Sequence, residues 1–345
     1  MSLTSQRYKI APQLKDYDCL PTDWRPYTMF RQASKYSSDS VNTDETGQRL
    51  SFDRNGNPLS FSNLDGPFDL IVGSSTAFGV GATHDKNTIS SQLSVLSGRQ
   101  TLSLTGRAYN SYQELLLFIE HLHKFSGLGK IIIISGANNL YVSAFRDRYG
   151  IPFFMSNDFY NSVRVATLSR KKQLLAMLFD SIGGQSIDWR GVNKTNIFRK
   201  IYEGFGHRMS TDDTPVIDVQ RAAHRTIQDL SVFHKLAESI GAQLSFCLQP
   251  VAGWMQKPLV EEENILIDTL HANTSEIMNA FSHPKIHREY SSVIENFCTS
   301  SKLNFCDLNN CIKPTNNNWM YVDRVHLTDT GNSLVAQYIF QHFYE

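Results

Sequence analysis

The stretch Lys130-Ile131-Ile132-Ile133-Ile134-Ser135 decides the fold. A run of β-branched side chains favours extended backbone. With no polar alternation it has no face for water, which suits a parallel strand covered by helices on both sides. Similar runs lie on either side of it: Phe68-Asp69-Leu70-Ile71-Val72, Thr101-Leu102-Ser103-Leu104, Gln243 to Leu248 and Leu303 to Asp307. Helical patterns separate them. Thr88 to Leu96 is stopped by Gly98. Ser111 to Phe125, with Leu115, Leu116, Phe118, Ile119 and Leu122 at helical spacing, is closed by Gly127. Ile217 to Ile240 is stopped at Gly241, and two more helices are expected near 261–281 and 285–300. A last helix runs from Thr328 to Phe343, capped by Thr328, with Leu334, Val335, Tyr338, Ile339 and Phe343 as its buried stripe. Strands alternating with helices predict an α/β protein of three layers, α/β/α, with a parallel sheet.

Two regions depart from this rhythm. Residues 1–66 are polar and lack periodicity, with turn signals at Asn55-Gly56-Asn57-Pro58 and Asp65-Gly66-Pro67. They read as an N-terminal extension, with a short strand or two, wrapping the main unit at 67–345. Within that unit the pattern blurs from about 140 to 215, where the helical stretch Leu168–Phe179 suggests an inserted helical cap. Its basic run Arg170-Lys171-Lys172 reads as a solvated helix face.

The chain has 345 residues, a length that fits two domains or one large α/β domain with additions. Lys+Arg and Asp+Glu both number 33, a balance that argues against nucleic acid as the main partner. The segment beginning at Met1 is polar and lacks the apolar core of a secretory signal, and no apolar run is long enough to span a membrane. Cys19, Cys247, Cys298, Cys306 and Cys311 are odd in number and irregular in spacing, and Cys306 and Cys311 are too far apart for a CxxC pair. Reduced thiols, no metal site and a cytoplasmic protein are the expectation.

In an open parallel sheet, reactive groups belong at the carboxyl ends of the strands. Four such positions are informative: Gly73-Ser74-Ser75-Thr76-Ala77-Phe78-Gly79, Thr105-Gly106-Arg107-Ala108, Gly136-Ala137-Asn138-Asn139, and Asp323-Arg324-Val325-His326-Leu327-Thr328 before the last helix. A serine hydroxyl needs a base to become a nucleophile, and histidine suits that near neutral pH. An aspartate fixes the imidazole tautomer and stabilises the imidazolium. A tetrahedral oxyanion needs fixed donors, which Asn138 Nδ2 and the backbone N–H groups of Ser75 and Gly106 can supply.

In these blocks the sequence resembles the SGNH hydrolase superfamily, also called the GDSL family. Gly73 to Gly79 matches that family's first block, Gly-Asp-Ser-x-x-x-Gly. Gly136-Ala137-Asn138-Asn139 matches its third, and Asp323-Arg324-Val325-His326-Leu327-Thr328 with Gly331 matches its fifth. The blocks occur in the family's order over about residues 68–345. The resemblance implies a flavodoxin-like domain with Ser75 as nucleophile, His326 as base and Asp323 as its partner. Ser75, Gly106 and Asn138 would line the oxyanion hole, and no metal or organic cofactor would be required. Ser74 and Asn139 stand where the family has aspartates. The second-block donor is open between Gly106 and Ala108.

The reaction class implied is cleavage of a carboxylic ester, with an O-acetyl group on a sugar as one such substrate. An acyltransferase or thioesterase with the same triad is the alternative, because only the second nucleophile differs. A third reading is a non-catalytic glycan-binding or scaffold protein of the same fold. Trp24-Arg25-Pro26-Tyr27, Asn42-Thr43-Asp44-x-x-Gly47-x-Arg49, and Leu248-Gln249-Pro250 followed by Lys257-Pro258-Leu259 resemble, in composition only, segments of family members encoded with bacterial surface-polysaccharide genes. The sequence has no Gly-x-Ser-x-Gly elbow around Ser75 and no Gly-Lys-Ser/Thr phosphate loop. His84, His121 and His123 read as surface or packing residues. Arg107 reads either as an anion contact or as a structural ion pair. Tyr141, Phe145, Phe153 and Phe154 read as core, or as the wall of an acyl or sugar pocket. Oligomeric state is not legible.

Overall fold

The computed structural model describes residues 3–64, 66–145, 153–154, 216–270 and 275–345. The inserted cap expected at 140–215, with Leu168–Phe179 and Arg170-Lys171-Lys172, lies almost wholly outside the described residues. Five parallel strands form the central sheet: β1 (Phe68–Gly73), β2 (Gln100–Thr105), β3 (Leu128–Ser135), β4 (Gln243–Leu248) and β5 (Asn304–Asp307). Their spatial order is β2-β1-β3-β4-β5, the flavodoxin-like doubly wound order. The order reverses between β1 and β3, the place in such sheets where the loops after the strands part at the carboxyl edge and a crevice is expected.

The isoleucine run of β3 is buried as expected, and it divides between two cores. Ile131 and Ile133 join Leu70, Val72, Leu102, Leu104, Leu244 and Phe246 on one face. Leu115 and Phe118 of helix Ser111–His121, Phe233 of Val219–Ser239 and Ile294 of Pro284–Ser300 pack over that face. Ile132 and Ile134 join Ile71 and Cys247 on the other face, under Leu93 of Ile89–Ser97 and Val335 and Ile339 of Asp329–Phe343. The pleat assigns alternate residues to opposite faces, so an unbroken apolar run serves both. The Thr328 hydroxyl accepts from Gly331 N–H as the cap of the last helix. The region expected as a helix over 261–281 contains two helices, Glu261–Leu270 and Ser275–Phe281.

The N-terminal segment is more ordered than its composition suggests. It forms helices Leu3–Ile10 and Leu14–Cys19 and two antiparallel hairpins, Thr22–Arg25 with Met29–Gln32 and Ser51–Phe52 with Pro58–Leu59. A third core cluster joins Leu14, Tyr17 and Val41 of this segment to Phe78, Val80 and Val322 beside the carboxyl edge of the sheet. Among the described residues, no helix is long and apolar enough to cross a membrane.

Candidate active site

At the end of β1 the backbone passes so close to β3 that a Cβ on Gly73 would stand 2.2 Å from the Ile134 carbonyl oxygen; its φ is +156°. Only glycine fits there. The chain then turns into a single helical turn, Ser75–Phe78, closed by Gly79 at φ +81°. Ser75 therefore emerges on the crevice side of the sheet. Its Oγ lies 2.8 Å from His326 Nε2, and His326 Nδ1 lies 2.6 Å from Asp323 Oδ2.

The imidazole is held by a compact loop between Tyr321 and Leu327, which pair as an isolated antiparallel bridge. Val322 N–H donates to the His326 carbonyl at 2.9 Å. Inside the loop, Asp323 Oδ1 accepts the N–H groups of Val325 at 2.9 Å and His326 at 2.8 Å, leaving Oδ2 for the imidazole. Ser75, Asp323 and His326 are all buried. Burial alone would raise the Asp323 pKa. The His326 charge and the hydrogen bonds from the ring and the two N–H groups outweigh it, so the carboxyl is held well below the usual carboxylate range. The arrangement can draw a proton from a hydroxyl onto an imidazole backed by a carboxylate.

The sites expected to supply oxyanion donors fare differently. Ser75 sits at the first position of its helical turn, where a backbone N–H has no intrahelical acceptor. Asn138 lies in the first turn of helix Ala137–Val142, directly after β3, and its Nδ2 donates to the Tyr109 carbonyl at 2.7 Å. An amide nitrogen carries two hydrogens, so that bond orients the group and leaves a second donor. Gly106 requires a correction. Its N–H continues the sheet ladder to the Gly73 carbonyl at 3.1 Å, and this takes the hydrogen assigned to an oxyanion. A Cβ on Gly106 would fall 2.2 Å from ring atoms of Tyr109, so close packing accounts for the glycine. Ala108, two residues on, adopts a left-handed backbone at φ +61°.

Asn139, at the second departure from the family pattern, is a structural anchor. Its Oδ1 accepts from Ser111 N–H at 2.9 Å, and its Nδ2 donates to Ser111 Oγ at 2.6 Å and Thr226 Oγ1 at 2.7 Å. It pins the helical turn carrying Asn138 to two neighbouring helices. Arg107 proves to be structural too. Its guanidinium donates to the carbonyls of Tyr17 at 2.8 Å and Leu20 at 2.7 Å, tying down the N-terminal segment. Burial lowers its pKa to about 10.

His84 is exposed and accepts from Lys86 N–H, His121 is buried against the Leu117 carbonyl, and His123 is exposed. Tyr141, Phe145, Phe153 and Phe154 are buried in the larger core, where Tyr141 stacks on Phe154 at 5.7 Å. Among the described residues, no group of three or more His, Cys, Asp or Glu side chains could hold a metal ion, and all five cysteines are free.

Sequence reasoning misses two supports of the Ser75 turn. Arg49, from the N-terminal segment, is fully buried with Asp85 (Nε to Oδ1, 2.8 Å). Its Nη1 donates to the carbonyls of Phe78 at 3.0 Å and Gly79 at 2.7 Å, where the Ser75 turn ends. The single Tyr17 hydroxyl hydrogen is shared between the Gly79 and Ala82 carbonyls, at 2.9 and 2.8 Å. The second support is Gln249, one residue past β4, bonded to the side chains of both Ser74 and Thr76. The strand-end rule that locates the other blocks also covers Gln249.

No protein-family profile and no curated protein sequence matches the chain. Solved structures similar to it include three bacterial proteins. A GDSL-like lipase from Bacteroides thetaiotaomicron is 12% identical at a TM-score of 0.40, with 81% of this chain and 92% of that one covered. A carbohydrate acetylesterase family member from Sinorhizobium meliloti is 10% identical at 0.40, with 79% and 95% covered. The aryl esterase of M. smegmatis is 10% identical at 0.42, with 81% and 98% covered.

Proposed function

We propose that this chain is a serine-dependent carboxylic ester hydrolase of the SGNH type. The observation that carries the reading is the hydrogen-bonded line from Ser75 Oγ through His326 to Asp323, at 2.8 and 2.6 Å. His326 Nε2 takes the Ser75 proton as Oγ attacks the ester carbonyl carbon. Asp323, kept ionised by its surroundings, stabilises the imidazolium. The negative charge on the former carbonyl oxygen meets Ser75 N–H, Asn138 Nδ2 and, in place of Gly106, the N–H of Ala108. When the tetrahedral adduct collapses, the C–O bond to the alcohol breaks and the imidazolium protonates the leaving oxygen. Water, deprotonated by the same imidazole, attacks the acyl-serine. The acid is released and Ser75 recovers its proton.

An O-acetyl group on a sugar is the substrate put to the test, because a small acyl group needs few contacts beyond the oxyanion donors. A reducing, cytoplasmic setting is part of this proposal. The test is acetate release from acetylated sugars in water by the purified protein and by Ser75→Ala. Release by the native chain alone supports the proposal. Turnover only when a sugar hydroxyl or thiol acceptor is added would show a transferase instead.

A further inference from the structure

Ser74 occupies the position where the resemblance leads us to expect an aspartate, and its surroundings are particular. Ser74 Oγ donates to Gln249 Oε1 at 3.2 Å, and Gln249 Nε2 donates to Thr76 Oγ1 at 2.9 Å. Thr76 Oγ1 in turn donates to the Val325 carbonyl at 3.0 Å. Ser74 and Thr76 are the two neighbours of Ser75, and Val325 is the neighbour of His326. One amide therefore holds the backbone on both sides of the nucleophile and, through Thr76, the backbone beside the base.

Gln249 is itself fixed from the main chain. Its N–H donates to the Ser135 carbonyl at 3.0 Å, continuing the β3–β4 ladder, and its carbonyl accepts from Asn309 Nδ2 at 3.0 Å. Ser74, Thr76 and Gln249 are all buried, so water is not available to replace these bonds. The partners named here are neutral. The direction of the chain follows from donor and acceptor chemistry. A serine at 74 donates to the amide oxygen, which turns the amide nitrogen toward Thr76; that leaves the Thr76 hydrogen for Val325. A carboxylate at 74 would compete for the amide nitrogen.

We propose that Gln249 is a positioning residue for the reaction, holding the Ser75 turn and the His326 loop in register through Thr76. This inference rests on the hydrolase reading above. Its test is steady-state hydrolysis of p-nitrophenyl acetate by the native chain, Gln249→Leu, Gln249→Glu and Thr76→Val, each checked for folding by thermal melting. For Gln249→Leu and Thr76→Val we expect kcat to fall roughly 10- to 100-fold with KM within about two-fold, the pattern of misaligned reacting groups.

Gln249→Glu adds a reading that a merely structural residue would not give. Protonated, the new carboxyl can donate to Thr76 as the amide does; ionised, it draws the Thr76 hydrogen away from Val325. Its kcat relative to the native chain should therefore rise as pH is lowered. Folded variants with native kcat, or a Gln249→Glu ratio flat with pH, would overturn the proposal. If Gln249→Leu does not fold, Thr76→Val, which removes one oxygen, decides the matter in its place. A native chain that neither turns over the ester nor reacts with a fluorophosphonate would sink the hydrolase reading instead.

Discussion

The Ser75 hydroxyl and the His326 imidazole stand 2.8 Å apart although 251 positions separate them in the chain. Neither reaches the other by local structure. β1 delivers the serine to the crevice, and the last loop before helix Asp329–Phe343 delivers the histidine. That helix and helix Ile89–Ser97 pack on the same face of the sheet, so the core fixes the distance between the two.

Replacing Asp323 by Asn should lower kcat by about 10³- to 10⁴-fold, as in comparable triads. The carboxylate serves two backbone N–H groups with one oxygen and the ring with the other. An amide can keep only one of these acceptor roles on its oxygen. If it keeps the backbone pair, its NH₂ faces Nδ1 and favours the wrong tautomer. Ester hydrolysis by the folded variant, with circular dichroism matching the native chain, checks this.

Asn138→Ala should reduce kcat by roughly 10²-fold with little change in KM, the signature of a donor used mainly in the transition state. A raised KM at native kcat would place Asn138 in ground-state binding. The variant also frees the Tyr109 carbonyl, now bonded to Nδ2.

Glu114 gives a pH dependence of stability. Desolvation, partly countered by the Ser135 hydroxyl and reinforced by Asp229, raises its pKa from 4.5 to about 8. The folded state therefore keeps a proton that the unfolded chain gives up. This contribution is fully present below about pH 4.5 and is lost as pH climbs to about 8, at roughly 1.4 kcal/mol per pH unit. Glu114→Gln should remove the slope and melt higher than the native chain on the alkaline side. Parallel melting curves for the two proteins against pH would contradict it.

Arg49→Met should cost roughly 3–5 kcal/mol in urea unfolding, the range for breaking a buried ion pair by removing one partner. Asp85 would stay buried, with Asn42 its remaining side-chain partner. A loss below about 1 kcal/mol, the range of exposed pairs, would mean that the N-terminal segment is only loosely coupled to the Ser75 turn.

The sheet is legible in the sequence because its strands are short apolar runs and their positions follow from composition alone. Ser75, Asp323 and His326 are legible because each sits at a strand end or before a capped helix, in blocks of recognisable order. The role of Gly106 is not, because sequence does not say where a backbone N–H points; the ladder bond to Gly73 decides that. Arg49 and Gln249 escape for a related reason. A single Arg in a polar segment has no periodicity to mark it, and Gln249, though at a strand end, shows its role only through distant partners. The N-terminal helices escape because Leu3–Ile10 has no clear apolar stripe of its own.

Reaction with a fluorophosphonate, followed by intact-mass and peptide mass spectrometry, tests the central claim most directly. One adduct on Ser75 in the native chain, absent in Ser75→Ala and strongly slowed in His326→Ala, is the predicted result. A folded native chain that takes no adduct, or an adduct that persists in Ser75→Ala, would contradict it.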